Sequence, residues 1–305
     1  MKKYLFIFIL FVFSGFLFSQ AYIGNNIIKG YILSADNNPV EKALVNFYNI
    51  KLKEGFNVNT DKRGKFKSPA IIKGLWRIRI YKDGFLPKEL FIYTKEKKTI
   101  LDKIILKKPH EKADESTAEQ LDKAVKFFIK NKYKKAIKIY EKLIKENQKP
   151  EYISILLGES YYYNGEYDKA IPCFSEALKN NDRIDLTIKI IDCFMEKGEG
   201  EKSLKYIKKL DINKIENPFI LSDIGIFFYK RGEFEKANLF LERGIKIYPE
   251  NSEAYYYLGL SYTSINKPEK AVQYLKRFIE LEPDSPDVVV ADSIINSFKD
   301  FNENR

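Results

Sequence analysis

The second half of this 305-residue chain repeats one short pattern five times, and this repetition constrains the fold more than any other feature. Each copy contains a small residue within a phrase similar to Glu-Lys-Ala, and successive copies are 34, 33, 34 and 34 residues apart. A fixed period of this length is typical of proteins built from stacked structural units. A duplicated active-site loop would not recur five times, so the pattern predicts architecture. The small residues are the anchors of the repeat: Ala136, Ala170, Ser203, Ala237 and Ala271.

Other positions recur at fixed distances before the anchors and predict two antiparallel helices in each unit. A small residue stands twelve positions before the anchor in four of the five units, where it lets the first helix approach the second. An aromatic residue stands nine positions before the anchor and is expected to fill the space between units. Five positions before the anchor stand residues that tolerate the left-handed backbone of a tight turn. They are Asn131, Gly165, Gly198, Gly232 and Asn266.

This pattern resembles the tetratricopeptide repeat, whose period is 34 residues. The resemblance spans residues 116–284 and implies an all-α solenoid. The third unit departs most, because Ile191 replaces the small residue and Ser203 replaces alanine. Its helices are therefore expected to be looser or displaced. The predicted units are 117–150, 151–183, 184–217, 218–251 and 252–284, and a capping helix and tail follow at 285–305.

The segment between residues 22 and 106 has a different pattern, with about seven short runs rich in Ile, Val, Phe and Tyr separated by turn residues. Such spacing predicts a small antiparallel β-sandwich. In one run Trp76, Ile78 and Ile80 alternate with Arg77 and Arg79. One face of this strand is therefore expected to be buried and the other to be basic and solvated.

The order of these features resembles the carboxypeptidase regulatory-like, transthyretin-like sandwich. The resemblance rests on Ile28-x-Gly30-x-Ile32, Asn38-Pro39, Ala43-x-Val45, Thr60-Asp61, Gly64-x-Phe66, Gly74-Leu75-Trp76 and Asp83-Gly84-Phe85. It implies an accessory module without catalytic residues. The predicted fold class is therefore multidomain β plus α, a small antiparallel β-sandwich joined by a linker at 107–115 to the helical solenoid.

The first 21 residues have the layout of a secretory signal peptide: two lysines, an apolar stretch, and small residues at the cleavage spacing. An uncleaved anchor is the competing interpretation, but the apolar stretch ends near Phe18, short of the ~20 residues that a span needs. The sequence predicts cleavage near Ala21, export to a periplasm or cell envelope, and a mature chain without a transmembrane span. The sequence favours two buried thiols at Cys173 and Cys193, and a disulfide between them, which export permits, is the alternative.

The positive charge is concentrated in the predicted sandwich. Residues 22–110 contain 19 Lys and Arg against 8 Asp and Glu, whereas residues 111–305 contain 32 against 34. Arg77 and Arg79 are the candidate basic surface. This surface is either a solvated face that resists aggregation or a contact for an anionic envelope polymer or lipid headgroup. Nucleic acid is not expected as a partner of an exported chain.

The sequence contains little that points to catalysis. His110 is the single histidine, so a site built from several histidines is excluded. The Gly-rich stretch at 197–203 lacks the spacing of a phosphate-binding loop. No catalytic residue, metal site or cofactor is predicted, and an enzyme that uses carboxylates alone is the weakest alternative.

The remaining candidate site is the groove lined by the first helix of each unit. Side chains off the packing face of these helices are expected there, and aromatic ones are efficient anchors for a protein or peptide partner. The alternative is that they thicken the packing between units. The predicted groove residues are Tyr152, Ile155, Tyr162, Phe219, Tyr229 and Tyr256. The sequence thus favours an exported, non-enzymatic scaffold or adaptor, and the alternative is a carbohydrate- or anionic-polymer-binding envelope protein that acts through the sandwich.

Overall fold

A computed structural model describes residues 24–82, 84–95, 97–108, 115–146, 151–179 and 183–303. The predicted signal peptide at 1–21 lies outside the described residues, and so do Asp83 and most of the predicted linker, including His110.

The first part of the chain forms two sheets that pack face to face. The strands are β1 (Ile27–Ser34), β2 (Leu44–Asn49), β3 (Glu54–Asn59), β4 (Lys65–Lys67), β5 (Gly74–Tyr81), β6 (Lys88–Thr94) and β7 (Lys98–Leu106). One sheet has the order β4-β1-β7 and the other β3-β2-β5-β6. The pairing of β1 with β7 is parallel, whereas the other described pairs are antiparallel. The predicted seven-stranded sandwich is confirmed, with Trp76, Ile78 and Ile80 fully buried in its core.

The second part of the chain forms five antiparallel helix pairs and a terminal helix, so the predicted β plus α architecture is confirmed. The helices are α1 (Glu115–Ile129), α2 (Tyr133–Lys145), α3 (Glu151–Tyr163), α4 (Tyr167–Leu178), α5 (Ile184–Glu196), α6 (Gly200–Ile207), α7 (Pro218–Lys230), α8 (Phe234–Ile247), α9 (Ser252–Ser264), α10 (Pro268–Leu281) and α11 (Val288–Glu303). First helices of neighbouring units contact each other, α5 with α7 and α7 with α9, so they share the inner face of the array.

The repeated small residues allow the two helices of a unit to approach closely. All five anchors are fully buried. A Cβ atom built on Gly225 would lie 2.5 Å from Leu241, and one on Gly259 would lie 2.4 Å from Leu275. Leu241 and Leu275 each follow their anchor by four residues, so the close approach is set by the repeat pattern itself.

The turn between the two helices of each unit has the left-handed backbone that the sequence predicts. The φ angle is 55° at Asn131, 77° at Gly165, 71° at Gly198, 75° at Gly232 and 52° at Asn266. Successive units are also joined by a repeated hydrogen bond. The Tyr161 hydroxyl donates to Glu141 at 2.5 Å, and the equivalent Tyr262 hydroxyl donates to Glu242 at 2.6 Å.

The third unit is irregular, as its sequence predicts. Its second helix, α6, has 8 residues, whereas the second helices of the other units have 12 to 14. A short 3-10 turn at Ile212–Lys214 then leads toward α7. The apolar core also divides here, with one cluster reaching Phe194 and the next beginning at Ile191. The bulk of Ile191, at a position that is small in the other units, is consistent with this interruption.

Both cysteines are free, so the alternative of a disulfide is not realised in the structure. Burial raises the pKa of Cys173 to about 11 and that of Cys193 to about 12, which keeps both thiols protonated at neutral pH. Over the described ranges, no helix is both long enough and apolar enough to cross a membrane.

Replacing Gly259 with valine should destabilise the protein by about 1–3 kcal/mol, because the new side chain overlaps Leu275. The opposing gain in helix propensity is smaller, roughly 0.4 kcal/mol. Gly165→Asn is the matched control, since asparagine already occupies the same left-handed turn position in the first and fifth units. Urea unfolding measures both variants. Equal unfolding midpoints for Gly259→Val and the wild type would contradict the close-approach role of this position.

Candidate functional site

The sandwich packs against the inner face of the helical array, which is the face where the sequence predicts a partner groove. Tyr81 and Leu86 of the sandwich are 6% and 8% exposed and share one apolar cluster with helical residues Leu121, Phe128 and Tyr152. The rings of Tyr81 and Phe128 meet edge to face with centroids 5.8 Å apart. The two parts of the chain therefore share a core.

The contact continues along β6 toward the fifth unit. The Phe91 ring lies 6.1 Å from that of Phe219 on α7, and the Tyr93 ring lies 6.0 Å from that of Tyr248. The Tyr93 hydroxyl donates a 2.5 Å hydrogen bond to Glu250, in the connection between α8 and α9. One strand of the sandwich thus bridges the later units.

A buried cluster of charges lies at the centre of this junction, around Glu89 of β6. The Arg79 Nε atom lies 2.7 Å from one carboxylate oxygen of Glu89, and the Tyr163 hydroxyl donates to the same oxygen at 3.0 Å. The Lys189 Nζ atom of α5 lies 3.2 Å from the other oxygen and 3.1 Å from the Tyr163 hydroxyl. A single carboxylate therefore binds cations from both the sandwich and the helices.

Aromatic rings complete the surroundings of these cations. The Arg79 guanidinium lies 3.8 Å from the Tyr163 ring centroid, close enough for a strong cation–π contact. The Arg77 guanidinium lies over Tyr48 at 4.7 Å, and the Lys189 ammonium lies 4.9 Å from the Tyr162 ring. The Nη2 atom of Arg79 has no hydrogen-bond partner within the described residues, so ring contact replaces part of its hydration.

The environment of the cluster fixes the charge state of its members. Burial opposes ionisation of Glu89, but Lys189, Arg79 and Arg77 outweigh it and hold the pKa of Glu89 well below its usual range. Burial likewise opposes the charge on Lys189, but Glu89 raises the Lys189 pKa well above its usual range. Burial, with the Glu89 carboxylate adding to it, raises the pKa of Glu159. Glu89 is thus the permanent anion of the junction.

The prediction that Arg77 and Arg79 form a solvated basic surface is wrong. The alternation along β5 is correct, and both arginines do point away from the sandwich core. The helical array covers this face, so that Arg79 is 7% exposed and the Arg77 side chain 20%. The sequence pattern identifies the two faces of a strand but not what covers the second one.

The predicted groove residues divide into three groups. Tyr152 and Ile155 are 4% and 1% exposed, so the prediction that they line an accessible groove is wrong. Both belong to the apolar cluster that includes the sandwich residue Tyr81. Phe219 contacts Phe91 of the sandwich, and the Tyr162 hydroxyl donates to Asp192 at 2.7 Å. Tyr229 and Tyr256 are half-buried and contact other helical side chains.

A section of the inner face beside α5, α7 and α9 is left open, and we call it the open groove. It contains a cavity of 750 Å³ whose lining includes Glu196, Asp223, Ile226 and Glu253. The rings of Tyr229 and Tyr257 meet edge to face nearby, with centroids 5.2 Å apart. Carboxylates, an aliphatic side chain and aromatic rings therefore occur together on one accessible surface.

The open groove carries an excess of negative charge, since five carboxylates and three cations, one of them Lys230, line its cavity. Lys202 and Arg231, which also line the cavity, pair with Glu199, Glu201 and Glu233. Among the described residues, no salt bridge joins Glu196, Asp223 or Glu253 to a cation. Burial, followed by the neighbouring carboxylates of Asp192, Glu253 and Glu196, raises the pKa of Asp223 to about 7. A cationic group bound here would relieve this repulsion.

Metal ligation is not suggested by the geometry of the described residues, which contain no group of three or more His, Cys, Asp or Glu side chains placed to hold an ion.

Sequence reasoning missed Glu89, Lys189 and Asp223. A faint signal was available for Lys189, since it stands between apolar residues on a helix, and for Glu89, since it is the one acidic residue of β6.

The paired helices, buried anchors and left-handed turns define a tetratricopeptide-type repeat protein, a fold that serves protein–protein interaction. The family model described as Intraflagellar transport protein 56 matches residues 121–304. This match covers more than half of the chain, and the chain belongs to that family.

Three curated relatives match parts of the chain. The BBSome complex member BBS4 of Bos taurus is 33% identical over 133 residues, which are 43% of this chain and 25% of that protein. The TPR repeat-containing protein MJ1428 of Methanocaldococcus jannaschii is 28% identical over 40% of this chain and 22% of its own length. The Photosystem I assembly protein Ycf3 of Prochlorococcus marinus strain MIT 9312 is 27% identical over 35% of this chain and 72% of its own length. The chain thus spans about a quarter of the length of the first two relatives.

Solved structures are similar to a little more than half of the chain. MamA of AMB-1 superimposes with a TM-score of 0.50 at 16% identity, covering 58% of this chain and 98% of that one. YrrB, described as a TPR protein with an unusual peptide-binding site, gives a TM-score of 0.48 at 19% identity and covers 57% of this chain and 90% of that one.

Replacing Glu89 with glutamine should cost about 3 kcal/mol at neutral pH, because it leaves buried cations without their anion. The Glu89 pKa is lower in the folded than in the unfolded protein. The contribution of the Glu89 carboxylate to the free energy of unfolding is therefore present above about pH 4.5 and is lost as the pH falls below that value. Urea unfolding should therefore show a difference in unfolding free energy between wild type and Glu89→Gln that is large at neutral pH and shrinks at acidic pH. Glu54→Gln, at the exposed start of β3, is the control, and equal stability of Glu89→Gln and wild type at neutral pH would contradict the role of the cluster.

Proposed function

We propose that the protein is an exported, non-enzymatic scaffold or adaptor of a bacterial cell envelope that binds a partner protein through the open groove. The observation that carries this proposal is a set of carboxylates beside Ile226 on an accessible inner face: Glu196, Asp223 and Glu253, which form no salt bridge within the part of the chain that the structure describes. Inner faces of helical repeat arrays provide extended binding surfaces. Export rests on the sequence of residues 1–21, which has the layout of a signal peptide.

The chemistry of the open groove favours a basic, partly apolar segment of the partner. Lysine or arginine side chains would pair with the three carboxylates, and the Tyr229 and Tyr257 rings offer further contact for an arginine. An apolar residue of the same segment would contact Ile226. Acidic segments are disfavoured, because they would meet like charges at short range.

The sandwich has a supporting role in this proposal, in keeping with its resemblance to carboxypeptidase regulatory-like modules. It covers the inner face of the early units and contacts α7 and the α8–α9 connection through β6, and it leaves the open groove accessible. Two relatives support an assembly role by name, one as a BBSome complex member and one as a Photosystem I assembly protein. We assign the carboxylates of the open groove to pairing with cations of a partner, and the proposal therefore gives them no catalytic role.

Charge reversal in the open groove tests the proposal. Asp223→Lys combined with Glu253→Lys should weaken binding of a synthetic peptide rich in arginine and leucine by at least about tenfold, because attraction becomes repulsion. Glu235→Lys combined with Glu269→Lys makes the same change of charge at exposed sites on the second helices and is the matched control. Fluorescence anisotropy gives the affinities. An equal loss in both double variants, or no loss in either, would exclude the open groove as the binding site.

Binding of the same peptide should weaken as the pH falls from about 8 to about 6. The Asp223 pKa is about 7 in the free protein, so the carboxylate becomes protonated over this range and loses its attraction for a cation. Asp223→Asn should bind weakly at both ends of the range and should show a flatter pH profile. A wild-type affinity that rises on acidification would contradict the assignment.

The native partner can then be sought by capture from envelope extracts followed by mass spectrometry. A protein retained by the wild type and by the Glu235/Glu269 control, but not by the Asp223/Glu253 variant, is expected to carry a basic segment. A synthetic peptide of that segment should displace it. Retention that is equal for all three proteins would argue against a groove-bound partner.

A further inference from the structure

The outer face of the β4-β1-β7 sheet carries a regular array of lysines, which we call the lysine face. The register places Lys29 beside Lys67 in one row and Tyr31 between Lys65 and Lys103 in the next. Lys98 pairs with Ile27 at the edge of the same face. These three strands contain five lysines and one acidic residue, Asp102, so the charge of the face is nearly of one sign.

The lysines of this face have few acidic neighbours, although Asp61 interacts electrostatically with Lys65. None of the five takes part in a salt bridge within the described residues. Partial burial, followed by the ammonium groups of Lys67, Lys98 and Lys65, lowers the pKa of Lys29. The lysine face therefore carries an excess of positive charge and would attract anions.

Exposed apolar side chains stand among the lysines. Ile100 is 63% exposed and pairs in register with Lys29, and Tyr31 is 44% exposed on the central strand. Ile105, on the same face, is 38% exposed. Four of the five lysines lie on the edge strands β4 and β7, where lysine also protects a sheet from edge pairing. Lys29, however, lies on the central strand β1 and pairs in register with the exposed Ile100.

The lysine face and the open groove lie on different sides of the molecule. The sandwich presents its β3-β2-β5-β6 sheet to the helices, and the two sheets pack face to face through the core around Phe47, Phe66 and Trp76. The outer face of the three-stranded sheet consequently points away from the helical array. A surface bound there would leave the open groove accessible.

We propose that the lysine face docks the protein flat on an anionic lipid bilayer. Lysine ammonium groups would contact the headgroups, while Ile100, Ile105 and the Tyr31 ring would enter the boundary between headgroups and acyl chains. The exposed isoleucines decide between a bilayer and a soluble anionic polymer, because an aliphatic side chain gains from an acyl boundary and gains nothing from a hydrated polyanion. This docking is independent of the groove-bound partner.

The test compares binding of the full chain to phosphatidylcholine vesicles with and without phosphatidylglycerol. The measured quantity is the difference between the two vesicle types, since the apolar segment before residue 22 is common to all variants. Lys29→Gln, Lys67→Gln and Lys98→Gln together should reduce the anionic-specific binding by on the order of 100-fold, given about fivefold for each lysine near a charged surface. Lys123→Gln, Lys138→Gln and Lys246→Gln remove the same charge from exposed helical sites and should leave it unchanged.

Ile100→Ser separates a bilayer from a soluble polyanion. It should weaken binding to the anionic vesicles several-fold, and it should not change binding to heparin, a soluble sulfated polysaccharide. The proposal is overturned if the wild type shows no preference for the anionic vesicles, or if the two triple variants lose binding equally. It is also overturned if Ile100→Ser leaves vesicle binding unchanged while heparin binds the wild type as tightly as the vesicles do.

Discussion

The carboxylate of Glu89 is the interaction on which the arrangement of the two parts of this protein depends. It pairs with three cations, of which Arg77 and Arg79 belong to the sandwich and Lys189 to α5. Without it, like charges would face each other across the junction at low dielectric, where repulsion is strong. Because Glu89 hydrogen bonds with Tyr163 as well, the contact also fixes which part of the strand meets which helix.

Charge and apolar contact have different tasks at this junction. A buried ion pair gains little net free energy, because desolvation of its members offsets most of their attraction. The free energy that holds the parts together therefore comes mainly from the burial of Tyr81, Leu86 and Phe91 against helical side chains. Apolar contact alone would allow the sandwich to dock on the helices in many orientations, and the charged cluster selects one of them.

The repeat units were predictable because their determinants are local. Anchor positions, small residues and turn residues act within about 20 residues of each other, so their spacing alone defines the hairpin and its packing. The docking of the sandwich was not predictable, because alternation along β5 is the same whether Arg77 and Arg79 meet water or Tyr163 and Tyr48. The candidate groove was affected by the same ambiguity: Tyr152 has the pattern of an exposed inner-face residue and is buried by a distant part of the chain.

The bridge formed by β6 changes the mechanical character of the array. In a helical solenoid each repeat contacts only the adjacent repeats, so the array can bend along its length. Here a sheet contacts α3, α5, α7 and the connection between α8 and α9, and Tyr93 hydrogen bonds with Glu250 across 157 residues of sequence. Bending that would separate the early units must first detach the strand from all of them. The contacts of β6 thus stiffen the array from α3 to the connection between α8 and α9, a stretch that stacking alone would leave free to bend.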